Sequence, residues 1–134
     1  MKLASLKSGR DGELIVVSRD LSRAVSAREV APTLQAALDD WAIIAPRLQA
    51  LSDQINQGRR EDAFDFDPTA CAAPLPRAYH WADGSAYVTH VELVRKARGA
   101  EMPASFWTDP LIYMGASDAF IGACDSIEVE NEDW

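Results

Sequence analysis

The stretch TLQAALDDWAIIAPRLQALSDQINQG places apolar residues at steps of three and four, which is the period of an amphipathic α-helix with one buried face. Thr33 suits the N-cap and Gly58 the position just past the C-terminus, so we predict a helix over residues 33–57. Pro46 interrupts the pattern and predicts a kink or a break there. All members of the apolar stripe are expected in the core: Leu34, Leu38, Trp41, Ile44, Leu48, Leu51 and Ile55.

Strand-like segments flank this helix. Residues 2–7 and 13–18 are typical of strands, and SGRDG between them has the glycines and aspartate of a hairpin loop. The run ELIVVS is almost wholly apolar, which predicts a strand buried on both faces. Strands combined with a long helix indicate the α+β class. Shorter strands are predicted near residues 24–26, 64–66, 111–113, 119–121 and 126–129.

The segment APLPRAYHW predicts an extended connection, because each proline restricts its own backbone and that of the preceding residue. We therefore place a domain boundary beside it. Residues 1–75 form a small N-terminal domain of strands and the kinked helix, and residues 76–134 begin a second domain.

The net charge of −8 is concentrated at the C-terminal end. All 13 lysines and arginines lie in residues 1–100, where 13 acidic residues balance them, and residues 101–134 carry eight acidic residues. This field disfavours nucleic acid and anionic membranes as partners. It fits either a solvated acidic edge or a segment whose partner charges lie elsewhere. No apolar run reaches the ~20 residues of a membrane span, and the isolated Cys71 and Cys124 suggest reduced thiols in a cytoplasmic protein.

The sequence ends on an acidic turn and Trp134, a large aromatic residue that needs a surface to pack against. We therefore expect this chain to be the N-terminal part of a longer protein.

The stretch WADGSAYVTHVELVRKARG predicts a second helix, with Asp83 as N-cap and Gly99 as the C-terminal stop. Asp83 and His90 would lie on nearly one side of it, ~10.5 Å apart along the axis. That separation excludes a direct pair but suits two groups on either side of one small ligand. Spacing alone favours structural roles for four residues: an N-cap for Asp83, a helix flank for His90, dipole complementarity for Arg98 and core packing for Tyr113.

The segment WADGSAYVTHVELVRKARGAEMPASFWTDPLIYMGASDAFIG, together with CAAPLPRAYH before it, resembles the fumarylacetoacetate hydrolase family. MKLASLKSGRDGELIVVSRD and TLQAALDDWA resemble the distinct N-terminal domain of its bacterial members. The resemblance implies an α+β protein: a small N-terminal β/α domain followed by the first elements of a β-rich catalytic domain, as in a truncated chain.

The resemblance also implies roles for four residues. Asp83 matches a ligand of a divalent cation, and His90 matches the general base that activates water. Arg98, with a one-residue shift, resembles an arginine that contacts the substrate carboxylate, and Tyr113 resembles a substrate-binding tyrosine. Ser85 stands where fumarylacetoacetase has another substrate tyrosine, which argues against fumarylacetoacetate itself as the substrate.

The implied activity is metal-dependent hydrolysis of a carbon–carbon bond in a 1,3-dicarbonyl oxo-acid, such as fumarylacetoacetate or an acylpyruvate. The implied cofactor is Mg²⁺, Ca²⁺ or Mn²⁺, whose other ligands would follow the end of this sequence. We therefore expect this chain alone to be inactive and to bind metal weakly. The implied partners are a small oxo-acid and a second copy in a homodimer. The alternative is a non-enzymatic interaction or oligomerisation module whose acidic tail is the contact surface.

Overall fold

A computed structural model of the protein describes residues 1–85, 87–109, 111–116 and 119–131. Its helices and strands confirm the predicted α+β class. They form two units, one of Met1–Arg77 with the described residues from Ala119 onward, and one of Ala78–Asp118. The elements are β1 (Lys2–Leu6), β2 (Glu13–Val17), β3 (Arg23–Ser26), α1 (Leu34–Asp39), α2 (Trp41–Asn56), β4 (Phe64–Asp65), β5 (Trp81–Ser85), α3 (Val88–Ala97) and β6 (Leu111–Gly115), with short 3₁₀ turns at Pro68–Ala70 and Ala104–Trp107.

The first unit is built on an antiparallel sheet in the order β1-β2-β3-β4. The predicted hairpin between β1 and β2 is confirmed, with Gly9 and Gly12 at φ of 64° and 74°. At Gly12 a Cβ atom would lie 2.7 Å from the Cβ of Ser5. Only glycine therefore satisfies both the left-handed backbone and the close approach of β1.

Strand β2 is covered on both faces, as its apolar sequence predicts. Leu14 and Val16 pack with the buried residues of α2, including Leu48. Ile15 and Val17 point to the opposite face, against Ala24 of β3, with Phe66 and Cys71 beside them. Two apolar layers on one central strand supply the main burial of this unit.

The helical stretch breaks at Asp40, so the prediction of a break at Pro46 is wrong. Thr33 caps α1 as predicted, its hydroxyl accepting from the Ala36 amide at 3.1 Å. Pro46 lies inside α2, where its missing N–H removes only the bond to the Ala42 carbonyl. Trp41 is 40% exposed and Leu38 is 44% exposed, which contradicts their predicted places in the core.

The chain after β4 returns to the free edge of β1. Leu6 forms a bridge with Cys71, the Lys7 amide donates to the Ala70 carbonyl at 2.9 Å, and the Ala72 amide donates to Ser5 at 2.9 Å. This segment covers an edge that would otherwise expose unpaired backbone groups. Cys71 and Cys124 are both free thiols, and burial raises the pKa of the Cys71 thiol.

The described residues from Ala119 onward form no strand, so the strands predicted at residues 119–121 and 126–129 are wrong. This segment is held by the Phe120 amide, which donates to the Pro76 carbonyl at 2.8 Å, and by an ion pair of Lys7 with Asp125 at 2.5 Å. The Lys7 ammonium lowers the pKa of the Asp125 carboxyl.

The second unit consists of the β5–β6 hairpin-like pair with α3 in the connection between its strands. The helix begins at Val88, so the prediction that Asp83 caps it is wrong. Asp83 lies instead in β5, a strand that the local sequence ADG does not favour and that pairing with β6 stabilises. Gly99, at φ 66°, confirms the predicted helix stop. Among the described residues, no helix is long and apolar enough to cross a membrane.

Candidate active site

Asp83 and Tyr113 are directly opposed in the β5–β6 pair, and Ser85 is opposed to Leu111. Because side chains alternate along a strand and directly opposed residues share a face, these four side chains project from the same face of the two-stranded sheet. Asp83, the predicted metal ligand, and Tyr113, the predicted substrate-binding residue, therefore lie on one face of this sheet.

Trp81 completes that face and fixes the surroundings of Tyr113. The two ring centroids are 6.0 Å apart with an interplanar angle of 36°. Gly115, opposite Trp81, makes room for the indole, since a Cβ at this position would lie 2.8 Å from the ring. The glycine two residues after Tyr113 thus serves the packing of the aromatic pair.

Helix α3 presents a second set of side chains. His90, Val94 and Arg98 follow one another at four-residue steps, and so do Val91 and Arg95. Residues at this spacing lie one above another on one helix face. The face is apolar at its centre, where Val91 is buried, and basic toward the C-terminal end of the helix.

These two faces enclose a cavity of about 380 Å³. Such a volume lies within the range of small-molecule sites. The cavity brings together His90, Arg98 and Tyr113, three of the four predicted site residues, although they are distant in sequence. The full lining comprises Ser85, His90, Val91, Val94, Arg95, Arg98, Ala100, Leu111 and Tyr113.

The cavity has a marked charge asymmetry. Arg95 and Arg98 both belong to its lining, and among the described lining residues there is no aspartate or glutamate. Guanidinium groups bind carboxylates through paired N–H donors. His90 is an exposed residue of α3, and among the described residues its imidazole has no hydrogen-bond partner from the chain. The site can hold an organic anion beside an accessible imidazole and a phenol.

Asp83 lies next to the cavity and not in its lining. Within the described ranges, no three His, Cys, Asp or Glu side chains come together in a way that could hold a metal ion. Mg²⁺ and Ca²⁺ take six or more oxygen ligands, several of them from protein or water. Asp83 by itself therefore does not form a cation site. Its side chain lies on the same face of the β5–β6 pair as that of Tyr113.

A larger depression of about 580 Å³ lies beside α2 and is a weaker candidate. Its most basic group, Arg60, already donates to both carboxylate oxygens of Asp62 at 2.8 and 2.6 Å and to Gln54 at 3.2 Å. A guanidinium committed in this way has few donors left for a ligand. Its lining has two arginines and two acidic residues, so the formal charges sum to zero.

Sequence reasoning did not identify two residues of the site. Arg95 stands three residues before Arg98 in the sequence, and this i, i+3 relation predicts that the two side chains are neighbours on the helix. Trp81 had no signal, because its contact with Tyr113 depends on a pairing of strands that are separated by the whole of α3.

The fold and the site define an α+β protein in which a sheet-and-helix unit is followed by a unit with a cavity lined by His90, two arginines and Tyr113. A family profile described as "Fumarylacetoacetase N-terminal domain 2" matches residues 1–77, more than half of the chain. The chain therefore belongs to this family of fumarylacetoacetase N-terminal domains. A comparison with curated proteins finds no significant match.

Proposed function

We propose that the cavity between α3 and the β5–β6 pair is the substrate site of a hydrolase that cleaves a carbon–carbon bond in a 1,3-dicarbonyl oxo-acid of the acylpyruvate class. The observation that carries the proposal is the meeting of His90, Arg98 and Tyr113 in one cavity. Membership in the fumarylacetoacetase N-terminal domain family supports it, because that domain accompanies this chemistry in the family that the sequence resembles.

The residues of the cavity fit the steps that such a reaction needs. Arg98 binds the carboxylate of the oxo-acid and sets its orientation. His90 accepts a proton from a water molecule, whose oxygen then attacks the acyl carbonyl carbon. The carbon–carbon bond breaks, its electron pair goes to the pyruvate methylene carbon, and that carbon takes a proton. The products are a carboxylic acid and pyruvate, which together contain the atoms of substrate and water.

Tyr113 positions the substrate in this proposal. Its phenol stands on the strand face opposite the basic end of α3, with the indole of Trp81 beside it. A phenol can donate to a carbonyl or enolate oxygen and can also stack against a planar diketone. Ser85 lies on the same face, at the position where fumarylacetoacetase has its second substrate tyrosine, so we favour an acylpyruvate over fumarylacetoacetate.

A divalent cation remains part of the proposal for the complete enzyme, with Asp83 as one carboxylate ligand. The described residues do not form the rest of a ligand set. When bound, the cation would polarise the dicarbonyl and stabilise the negative charge left by bond cleavage, which the residues named above do not supply. We infer that the 134-residue chain alone has no turnover and binds Mg²⁺, Ca²⁺ and Mn²⁺ weakly. Isothermal titration with each ion tests this: tight one-to-one binding to the chain alone would contradict it.

The test of the proposed function uses the product of the complete reading frame of the gene and acetylpyruvate as substrate, with loss of the diketone absorbance as readout. We expect turnover, and we expect His90→Ala to lower kcat by ~10²–10⁴, the usual contribution of a general base. A fall below about threefold would exclude His90 as the base.

The chain offers a matched control, since it has only two histidines and His80 does not line the cavity. His80→Ala should leave kcat unchanged. Equal losses in both variants would mean that the effect is not specific to the site, and absence of turnover in the unsubstituted protein would overturn the proposed function.

A second candidate function is an interaction or oligomerisation module, such as a homodimer, and the exposure of large apolar side chains favours it. In the second unit Tyr87, Leu93 and Trp107 are all more than 60% exposed, and so are Ile127 and Val129 beside the glutamates of the acidic tail. Sedimentation equilibrium of the 134-residue chain decides whether these side chains mediate association. A chain that remains monomeric at all micromolar protein concentrations would exclude a homodimer.

A further inference from the structure

Arg95 differs from the other basic residues at the end of α3 in its surroundings. It is half-buried and lines the cavity, whereas Lys96 is exposed and does not. Both lie in the last helical turn, where a positive charge complements the helix dipole. The dipole therefore accounts for the charge at both positions but not for the placement of Arg95 in the cavity wall.

The Arg95 guanidinium is held in place by the chain that follows the helix. Its Nη1 donates to the Glu101 carbonyl at 3.0 Å. This bond uses one of five N–H donors and restricts the side chain, so the remaining donors are oriented before a ligand arrives. The ion pairs of the described residues involve neither Arg95 nor Arg98.

Two arginines therefore line one cavity, and the described part of that lining contains no carboxylate. A bound monoanion compensates only one of these two formal positive charges. An organic dianion compensates both. Differences in charge complementarity of this kind govern selectivity among ligands of the same size.

We propose that Arg95 is a second anion-binding residue of this cavity, and that it selects oxo-acids with two carboxylates over those with one. This inference rests on the proposed function for the identity of the substrate as an oxo-acid. Arg98 binds the carboxylate next to the cleaved dicarbonyl, and Arg95 binds a carboxylate on the acyl part.

The test compares succinate with butyrate, which have the same number of carbons and differ by one carboxylate. Binding of each to the 134-residue chain is followed by NMR titration of the α3 amides. We expect succinate to bind on the order of tenfold more tightly, as one additional charge-assisted contact provides. Arg95→Met should reduce this ratio to about one.

Lys96→Met is the matched control, because it removes the same charge from the same helical turn outside the cavity. It should retain the full preference for succinate. Arg95→Lys keeps the charge without the planar fork and should retain part of the preference. If Arg95→Met does not give the native spectrum of the α3 amides, the comparison is made with Arg95→Lys instead.

Two results with the unsubstituted chain would overturn the inference: no binding of either probe, or equal affinity for succinate and butyrate. Two results with variants would also overturn it: Arg95→Met weakens binding of both probes equally, or Lys96→Met loses the preference for succinate as Arg95→Met does. The equal loss in Arg95→Met would place both arginines on a single carboxylate. If the complete protein cleaves acetylpyruvate but the chain does not prefer succinate to butyrate, this inference is wrong and the proposed function stands. If the chain prefers succinate but the complete protein does not cleave acetylpyruvate, the proposed function is wrong and the role of Arg95 in anion binding stands.

Discussion

The two units of the molecule differ in how far their side chains are buried. In the first, β2 and α2 carry a core of fully buried residues such as Leu14, Val16 and Leu48. In the second, Val91 is the one buried residue among those that the structure describes, and most of the polar groups of the cavity are exposed. Stability and the candidate site therefore belong to different parts of the chain, and substitutions should separate them.

The strongest test of this difference is a pair of leucine truncations, one in each unit. Leu48→Ala should lower the free energy of unfolding by about 2–5 kcal/mol, because it removes a fully buried side chain and leaves a cavity. Leu93→Ala on α3, where the side chain is 62% exposed, should change it by less than about 0.5 kcal/mol. Urea denaturation measures both, and similar losses in the two variants would break the comparison.

A smaller effect is expected from the helix N-caps. Thr33→Ala should cost about 1 kcal/mol, because it removes the bond to the Ala36 amide. Tyr87, at the N-cap of α3, makes no side-chain cap bond and has an extended backbone that suits a capping residue. Tyr87→Thr should therefore stabilise α3, seen as slower hydrogen exchange of its amides. Faster exchange in that variant would show that the tyrosine already stabilises the second unit.

The smallest effect concerns acid sensitivity of the first unit. Hydrogen bonds from the Ser18 hydroxyl, then from the amide and hydroxyl of Ser22, lower the pKa of the exposed Asp20 to about 2 from 3.8. The lower value in the folded state means that the ionised carboxylate stabilises the fold above about pH 4, and that this contribution is lost as the pH falls toward 2.

The measurement is the difference in unfolding midpoint between the unsubstituted chain and Asp20→Asn at several pH values. The difference should be largest near neutral pH and shrink toward pH 2. A difference that does not vary with pH would mean that the charge of Asp20 has no part in stability.

Local chemistry predicted much of the first unit. The glycines of the hairpin, the Thr33 cap and the stop at Gly58 each act within a few residues, and the structure contains all of them. The position of the helix break was not predictable in this way. It lies at Asp40, six residues before the proline that marked it in the sequence.

The second unit was harder to predict because its pairing is long-range. Asp83 has the local signature of an N-cap, but β6, which pairs with it, follows in the chain only after α3. Pairing with Tyr113 overrides the local preference. The predicted site residues themselves came from a resemblance to a known family. Their common cavity, and the presence of Arg95 in it, became evident only from the geometry of α3 against the strands.

Hydrogen–deuterium exchange of the 134-residue chain, with and without saturating acetylpyruvate, tests the central claim most directly. We expect the slowest exchange in β2 and α2, and protection by the ligand confined to α3, β5 and β6, which provide the cavity. Protection by the ligand in Met1–Arg77 alone, or no protection anywhere, would contradict the assignment of the substrate site to the second unit.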